Sequence, residues 1–150
     1  MNSEKLHPLV IVNPNASRST EALPNISKWV AAQANAKLLI ARTPSDLEEL
    51  LKEHGPAANR IAIGGGDGTI SEALPQLLRL GKPVGVLPLG TANDFARTLE
   101  LPSDPVQALQ TAVSGRERKI DVGLVNGYPY VNVASVGAAS GRVTVATRER

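Results

Sequence analysis

Three consecutive glycines set between a β-branched run and a helical pattern constrain this chain more than any other stretch. Residues 61–75 read Ile-Ala-Ile-Gly-Gly-Gly-Asp-Gly-Thr-Ile-Ser-Glu-Ala-Leu-Pro, so a strand, a loop and a helix follow without a break. Glycines let successive backbone N–H groups turn into one concavity, and a helix beginning near Thr69 adds the positive end of its dipole. The order therefore predicts an anion site at the end of a strand. Asp67 complicates it. A carboxylate beside a polyphosphate is repelled unless a cation or a donated hydrogen bond lies between them, so Asp67 implies Mg²⁺, directly or through water, or a structural bond. The plainer alternative is a tight turn with Asp67 as helix N-cap.

The rest of the chain supplies the setting for that loop. Apolar runs over 9–12, 38–41, 60–63 and 83–87 read as strands. Between them, apolar residues recur at helical spacing: Ala22, Leu23, Ile26, Trp29, Val30 and Ala34, with Trp29 in the core; then Leu47, Leu50 and Leu51 after an N-cap at Thr43 or Ser45, closed by His54 and Gly55; then Ile70, Ala73, Leu74, Leu77, Leu78 and Leu80, stopped by Gly81. A short helix is expected over 95–99. Asp104 as N-cap and Pro105 at the first position open another, which carries Val106, Leu109 and Val113 and ends at Gly115. Near-continuous apolar strands alternating with helices predict an α/β fold, a mostly parallel sheet flanked by helices, with ligands gathered where loops leave the strands' carboxyl ends. Asn13, Thr43 and the loops at Gly64 and Gly90 all fall there. After Arg116 the pattern changes. Ile120, Val122 and Leu124 alternate, Asn126-Gly127 signals a hairpin, and Tyr128, Tyr130, Val131 and Val133 resume a strand, so an antiparallel pair is predicted near the C-terminus. Beyond Val136, Gly137 and Gly141 loosen the backbone and the polar ending carries no stop signal, which predicts a truncation.

Composition excludes several classes. A length of 150 residues and a hydrophobic fraction of 42% suit one domain over 1–150. Sixteen basic against 14 acidic side chains give +2, and the only aromatics are Trp29, Phe95, Tyr128 and Tyr130, too little charge and stacking surface for a nucleic-acid partner. The absence of cysteine removes disulfide and thiolate chemistry. No apolar run approaches the roughly 20 residues of a membrane span, and the expectation is a cytoplasmic protein without a transmembrane segment. No Walker-type lysine loop and no G-x-G-x-x-G surround Gly64, so a Rossmann dinucleotide site is not expected. The nearest thing to a nucleophile elbow, Val133-Ala134-Ser135-Val136-Gly137, lacks the first glycine. His7 and His54 receive no catalytic role. Arg116, Arg118 and Lys119, with Arg97 and Arg142, read as a solvated edge rather than a lipid-head surface.

Three stretches together resemble the diacylglycerol kinase catalytic-domain family: Gly65-Gly66-Asp67-Gly68-Thr69, Pro88-Leu89-Gly90-Thr91-Ala92-Asn93-Asp94-Phe95-Ala96-Arg97, and Asn13-Pro14 after the first strand. The likeness is nearest to the family's bacterial soluble lipid kinases. NAD kinases and phosphofructokinases share the first motif, whereas the second is specific to the lipid kinases. The resemblance implies a nucleotide-binding domain of the NAD-kinase and phosphofructokinase type and ATP-dependent phosphorylation of a lipid hydroxyl, diacylglycerol-like or related, with Mg²⁺. It implies nucleotide contacts at Asn13, Thr43, Gly65, Gly66, Asp67, Gly68, Thr69, Ile70, Ser71, Glu72, Gly90, Thr91 and Asn93. It implies acidic positions near Mg²⁺ at Asp67, Asp94 and Asp121, the last within Lys119-Ile120-Asp121-Val122-Gly123. The likeness covers the first half of a full-length member. A second, β-rich domain, with 137–150 starting the connection to it, and a general base beyond Arg150 are then expected. The implied partner is a lipid at a membrane surface, reached by peripheral contact, and the face left by the missing domain predicts self-association. Ala16-Ser17 departs from the family's serine or alanine followed by glycine, and Ser71 stands where asparagine is common before Glu72.

Phosphoryl transfer needs fixed phosphates, neutralised charge and a base near the acceptor. This sequence offers the first two. Each residue also has an ordinary structural use: Asp67 and Asp94 can cap the helices that follow, Asp121 can pair with Arg118 or Lys119, Glu72 can complement a helix dipole, and Thr43 and Thr91 can cap turns. The alternative functions are a nucleotide-binding module inactive by itself and an NAD-kinase-like enzyme.

Overall fold

The structure is a computed structural model and describes residues 6–125, 128–130 and 141–147. Its strands are β1 (Pro8–Val12), β2 (Lys37–Ile40), β3 (Arg60–Gly65), β4 (Val84–Pro88), β5 (Arg116–Val125), β6 (Tyr128–Tyr130) and β7 (Gly141–Thr147). Its α-helices are α1 (Ser19–Ala31), α2 (Pro44–His54), α3 (Asp67–Leu80), α4 (Asp94–Thr98) and α5 (Pro105–Ser114). The strands form one sheet in the order β2-β1-β3-β4-β7-β5-β6.

The apolar runs are continuous because both faces of the sheet are covered. All five residues of β1 are buried. Side chains alternate across a strand, so Leu9 and Ile11 join one core with Ile61, Ile63, Val84 and Val86, beneath α2, α3 and α4. Val10 and Val12 join the other with Ala62 and Leu87, beneath α1 and α5. Trp29, expected in the core, is half-buried and packs against the edge of this second cluster.

β2, β1, β3 and β4 are parallel, with Val12 opposite Gly64 and Gly65 opposite Pro88, so their carboxyl ends lie in one row. The helix ends follow from local chemistry. Thr43 caps α2 in a reciprocal box with Asp46, Asp104 caps α5 by accepting from Gln107 N–H with Pro105 next to it, and Gly81 ends α3 in the left-handed region at φ 64°. α3 begins two residues earlier than expected, at Asp67 with Gly66 as N-cap.

The antiparallel pair is present: Gly123 faces Tyr130 and Val125 faces Tyr128. The Asn126-Gly127 turn, Val131, Val133, Ser135 and Gly137 lie outside the described residues. Residues 141–147, within the 137–150 segment expected to start the connection to a second domain, form β7, which enters the sheet between β4 and β5, parallel to one at Val84–Val145 and antiparallel to the other from Arg116–Thr147 to Val122–Gly141. Val143 and Val145 bury their side chains, and Arg142 before them and Thr144 between them hide the alternation in a segment that reads as polar. Among the described residues no helix is long and apolar enough to cross a membrane.

Candidate functional site

The loops after β3 and β4 meet backbone to backbone. Leu89 N–H donates to Gly65 C=O at 3.0 Å, and a Cβ on Gly90 would stand 2.5 Å from Gly66 Cα. Two chains can approach that closely only where neither carries a side chain. Asn93 holds the second loop in this position. It adopts the left-handed region at φ 52°, and its amide makes two bonds to one residue, accepting from Gly90 N–H at 2.9 Å and donating to Gly90 C=O at 2.8 Å. Both polar groups of Asn93 are thereby committed to the loop.

Asp67 joins the same two loops. Its carboxylate does not cap α3. One oxygen accepts from Asp94 N–H at 2.9 Å and the other from Phe95 N–H at 3.1 Å, so it seals the start of α4. Of the roles open to it, the structural bond is present, and each oxygen keeps acceptor capacity for a second partner. Asp94 is exposed beside it, paired loosely with Arg97 at 3.5 Å. Arg97 also folds back onto Ala92 C=O.

The first bond of α3 runs from Ile70 N–H to Gly66 C=O, which leaves the amides of Asp67, Gly68 and Thr69 without helical acceptors. These amides and the dipole form a cradle chemically able to receive an anion at the start of α3. Gly68 is exposed, and a Cβ placed there would meet nothing within 4 Å. The fold itself does not require glycine at this position. Ile70 does not belong to the cleft: its side chain is buried in the core and its amide is consumed by Gly66. Ser71 and Glu72 are exposed.

Beside the cradle, Asn13 Nδ2 donates to Thr69 Oγ1 at 3.1 Å. A cleft of about 100 Å³ opens next to this bond, lined by Asn13, Ala41, Arg42, Thr43, Pro44, Leu47, Thr69 and Glu72. On its other flank, Ser17 Oγ lies 3.2 Å from Thr91 Oγ1, joining the turns after β1 and β4. Arg18 fastens the same turn, donating to Pro88 C=O at 3.0 Å and Ser103 C=O at 3.2 Å. Ser17, Arg18 and Arg42 were not anticipated. Their position just past a strand's carboxyl end is the signal that marks them.

Asp121 is not brought to this group. It pairs in register with Arg142 on β7, three residues before the Val145 that faces Val84 at the start of β4, so it lies toward the amino ends of the parallel strands. Asp67 and Asp94 lie at their carboxyl ends. Among the described residues no three acidic, histidine or cysteine side chains are grouped to hold a metal ion.

The sequence model described as the diacylglycerol kinase catalytic domain matches residues 7–125. A protein named probable lipid kinase YegS-like from Serratia proteamaculans (strain 568) is 48% identical over 94 residues, 60% of this chain and 31% of that one. Another of that name from Chromohalobacter salexigens is 40% identical over 133 residues, 85% of this chain and 43% of its own length. The crystal structure of a diacylglycerol kinase from Bacillus anthracis (strain Sterne) superposes with a TM-score of 0.74 at 27% identity, covering 87% of this chain and 50% of that one. The chain thus spans half or less of the length of these relatives.

Proposed function

Since the chain belongs to the diacylglycerol kinase catalytic-domain family, we propose that it forms the ATP-binding half of a Mg²⁺-dependent kinase that phosphorylates the hydroxyl of a diacylglycerol-like lipid at a membrane surface. The observation that carries the proposal is Gly68, an exposed glycine in the first turn of α3 whose missing side chain the fold does not need and a bound phosphate does. The amides of Asp67, Gly68 and Thr69 take up the phosphates, and the Ser17 and Thr91 hydroxyls stand at the rim as further donors. Asp67 and Asp94 suit a hydrated Mg²⁺, a hard cation held by one or two carboxylates with water and phosphate oxygens completing its shell. That ion would supply the charge neutralisation for which this chain has no Walker lysine. Asp121 is left out of the ion's shell. The acceptor's general base and lipid pocket lie, in this proposal, in sequence beyond this chain, in keeping with the length of its relatives. Leu124, more than half exposed on β5, is then a point of self-association for the chain by itself.

The test is calorimetry of ATP binding to the 150-residue chain with and without Mg²⁺, followed by transfer to diacylglycerol in mixed micelles by this chain and by a full-length relative. Magnesium-dependent ATP binding by the chain, with transfer only by the longer protein, is expected. Absence of ATP binding overturns the proposal, and transfer by the short chain would place the base within it. Sedimentation of the chain as a monomer at high concentration would remove the self-association.

A further inference from the structure

Arg18 is ill-suited to its own helix. It stands at the N-cap of α1, where a side-chain acceptor would satisfy the first amides, and its guanidinium has no acceptor to offer and makes no capping bond. It also sets a cation at the positive end of the helix dipole. A residue that breaks a local rule in this way finds its use in a contact elsewhere. We propose that Arg18 is a positioning residue for the phosphate site: it closes the neck of residues 88–103 and so holds Thr91 at the rim of the cradle. This rests on the nucleotide reading above.

The chain leaves β4 at Pro88 and returns at Ser103, next to the Asp104 that caps α5. One nitrogen of Arg18, Nη1, donates to both ends, to Pro88 C=O at 3.0 Å and to Ser103 C=O at 3.2 Å, and so joins carbonyls 15 positions apart. The Arg18 N–H donates to Leu89 C=O at 2.8 Å, so main chain and side chain grip the same neck. The grip has a firm base. Ser19 beside it is fully buried and donates to Asn13 C=O at 2.6 Å. Among the described residues no carboxylate pairs with Arg18.

The segment closed in this way carries Gly90, Thr91, Asn93, Asp94 and α4, and its backbone needs holding. Among the described residues the two non-glycine positions with positive φ, Asn93 and Glu100, both lie in it. Such conformations persist only where the surroundings over-determine them. Asp67 holds the middle of the segment through the Asp94 and Phe95 amides, and Arg18 holds its two ends. Ser17, next to Arg18, reaches Thr91 directly, hydroxyl to hydroxyl at 3.2 Å.

Hydrogen exchange and calorimetry on the 150-residue chain test this with Arg18→Met, which keeps the apolar stem and removes the donors. The amides of Gly90, Asp94, Phe95 and Leu101, all bonded within the segment or to Asp67, are expected to exchange about 5- to 30-fold faster, with those of β1 and β3 unchanged. Affinity for ATP with Mg²⁺ is expected to fall about 3- to 10-fold. In Thr91→Ala the same substitution is expected to cost less, so that the double variant loses less than the product of the two single factors. Losses that multiply in full mean that Arg18 acts on the phosphates by its own charge and overturn the positioning role, as does unchanged ATP affinity. Equally faster exchange in β1 and β3, or a variant that does not fold, makes Arg18 a general staple and also overturns it. Wild-type chain that binds no ATP removes the nucleotide reading and the ligand part of this inference, and the exchange rates then decide separately whether Arg18 closes the neck.

Discussion

Two glycines 22 positions apart, Gly68 and Gly90, separate what the fold requires from what the proposed ligand would require. A methyl group on Gly90 would collide with Gly66 Cα, so Gly90→Ala is expected to destabilise the chain by about 1–3 kcal/mol in urea denaturation. Gly68 has open space beside it and helical backbone. Gly68→Ala is expected to leave stability unchanged or raise it by up to about 1 kcal/mol, while ATP affinity falls because the methyl stands in the cradle. Weakened stability with intact ATP binding in Gly68→Ala would reverse these roles. Asp67 combines a structural and an electrostatic role in one side chain. Asp67→Asn keeps an acceptor for α4 and is expected to fold normally while losing the magnesium dependence of ATP binding. Asp67→Ala also strips two N–H groups of their acceptor and is expected to lower stability by about 1–2 kcal/mol, seen as a reduced melting temperature.

Helices α2 and α3 present the cleft and the cradle, and their ends are set by local chemistry. The Thr43 and Asp46 box starts α2 beside the cleft, so Thr43→Ala is expected to cost about 1 kcal/mol and to loosen the wall that carries Arg42. Farther along, Glu48 touches both helices: Lys52 donates to it at 2.8 Å, and the buried Gln76 of α3 reaches it at 3.4 Å. The hydrogen bond and then the charge of Lys52 hold the Glu48 carboxyl below its ordinary value of 4.5. A lowered folded value means that the native state favours the ionised form. Its stabilisation is complete above the unfolded value and fades as pH falls through the folded one. Glu48→Gln is therefore expected to flatten the loss of stability between about pH 5 and 3, measured by urea midpoints, because the variant lacks the small stabilisation that the ionised carboxylate gives near neutrality and has none to lose on acidification. Capping residues, glycine stops and apolar spacing made these helices legible, because each acts within one or two turns of chain.

At the scale of the molecule, β7 joins the antiparallel strands to the parallel sheet, and among the described residues Val145 sits at the junction, facing Val84 on one side and Arg118 on the other and fully buried. Val145→Ala is expected to cost about 2 kcal/mol and to speed amide exchange in β5 before β1 and β3. Uniform loss of protection would show that the sheet opens as one unit. The sequence by itself determined the alternation of buried strands and helices, the glycine cradle at the end of β3 and the second turn after β4, since strand period, turn chemistry and helix caps are read from residues a few places apart. It could not show that Asp67 seals α4 across 27 positions, that Ser17 meets Thr91 across 74, or that Asp121 faces the far end of the sheet from Asp67. Those follow from the register in which strands distant in sequence lie side by side. Register depends on how two faces of a sheet fill at once, a condition that no local pattern carries and that only the packed structure decides.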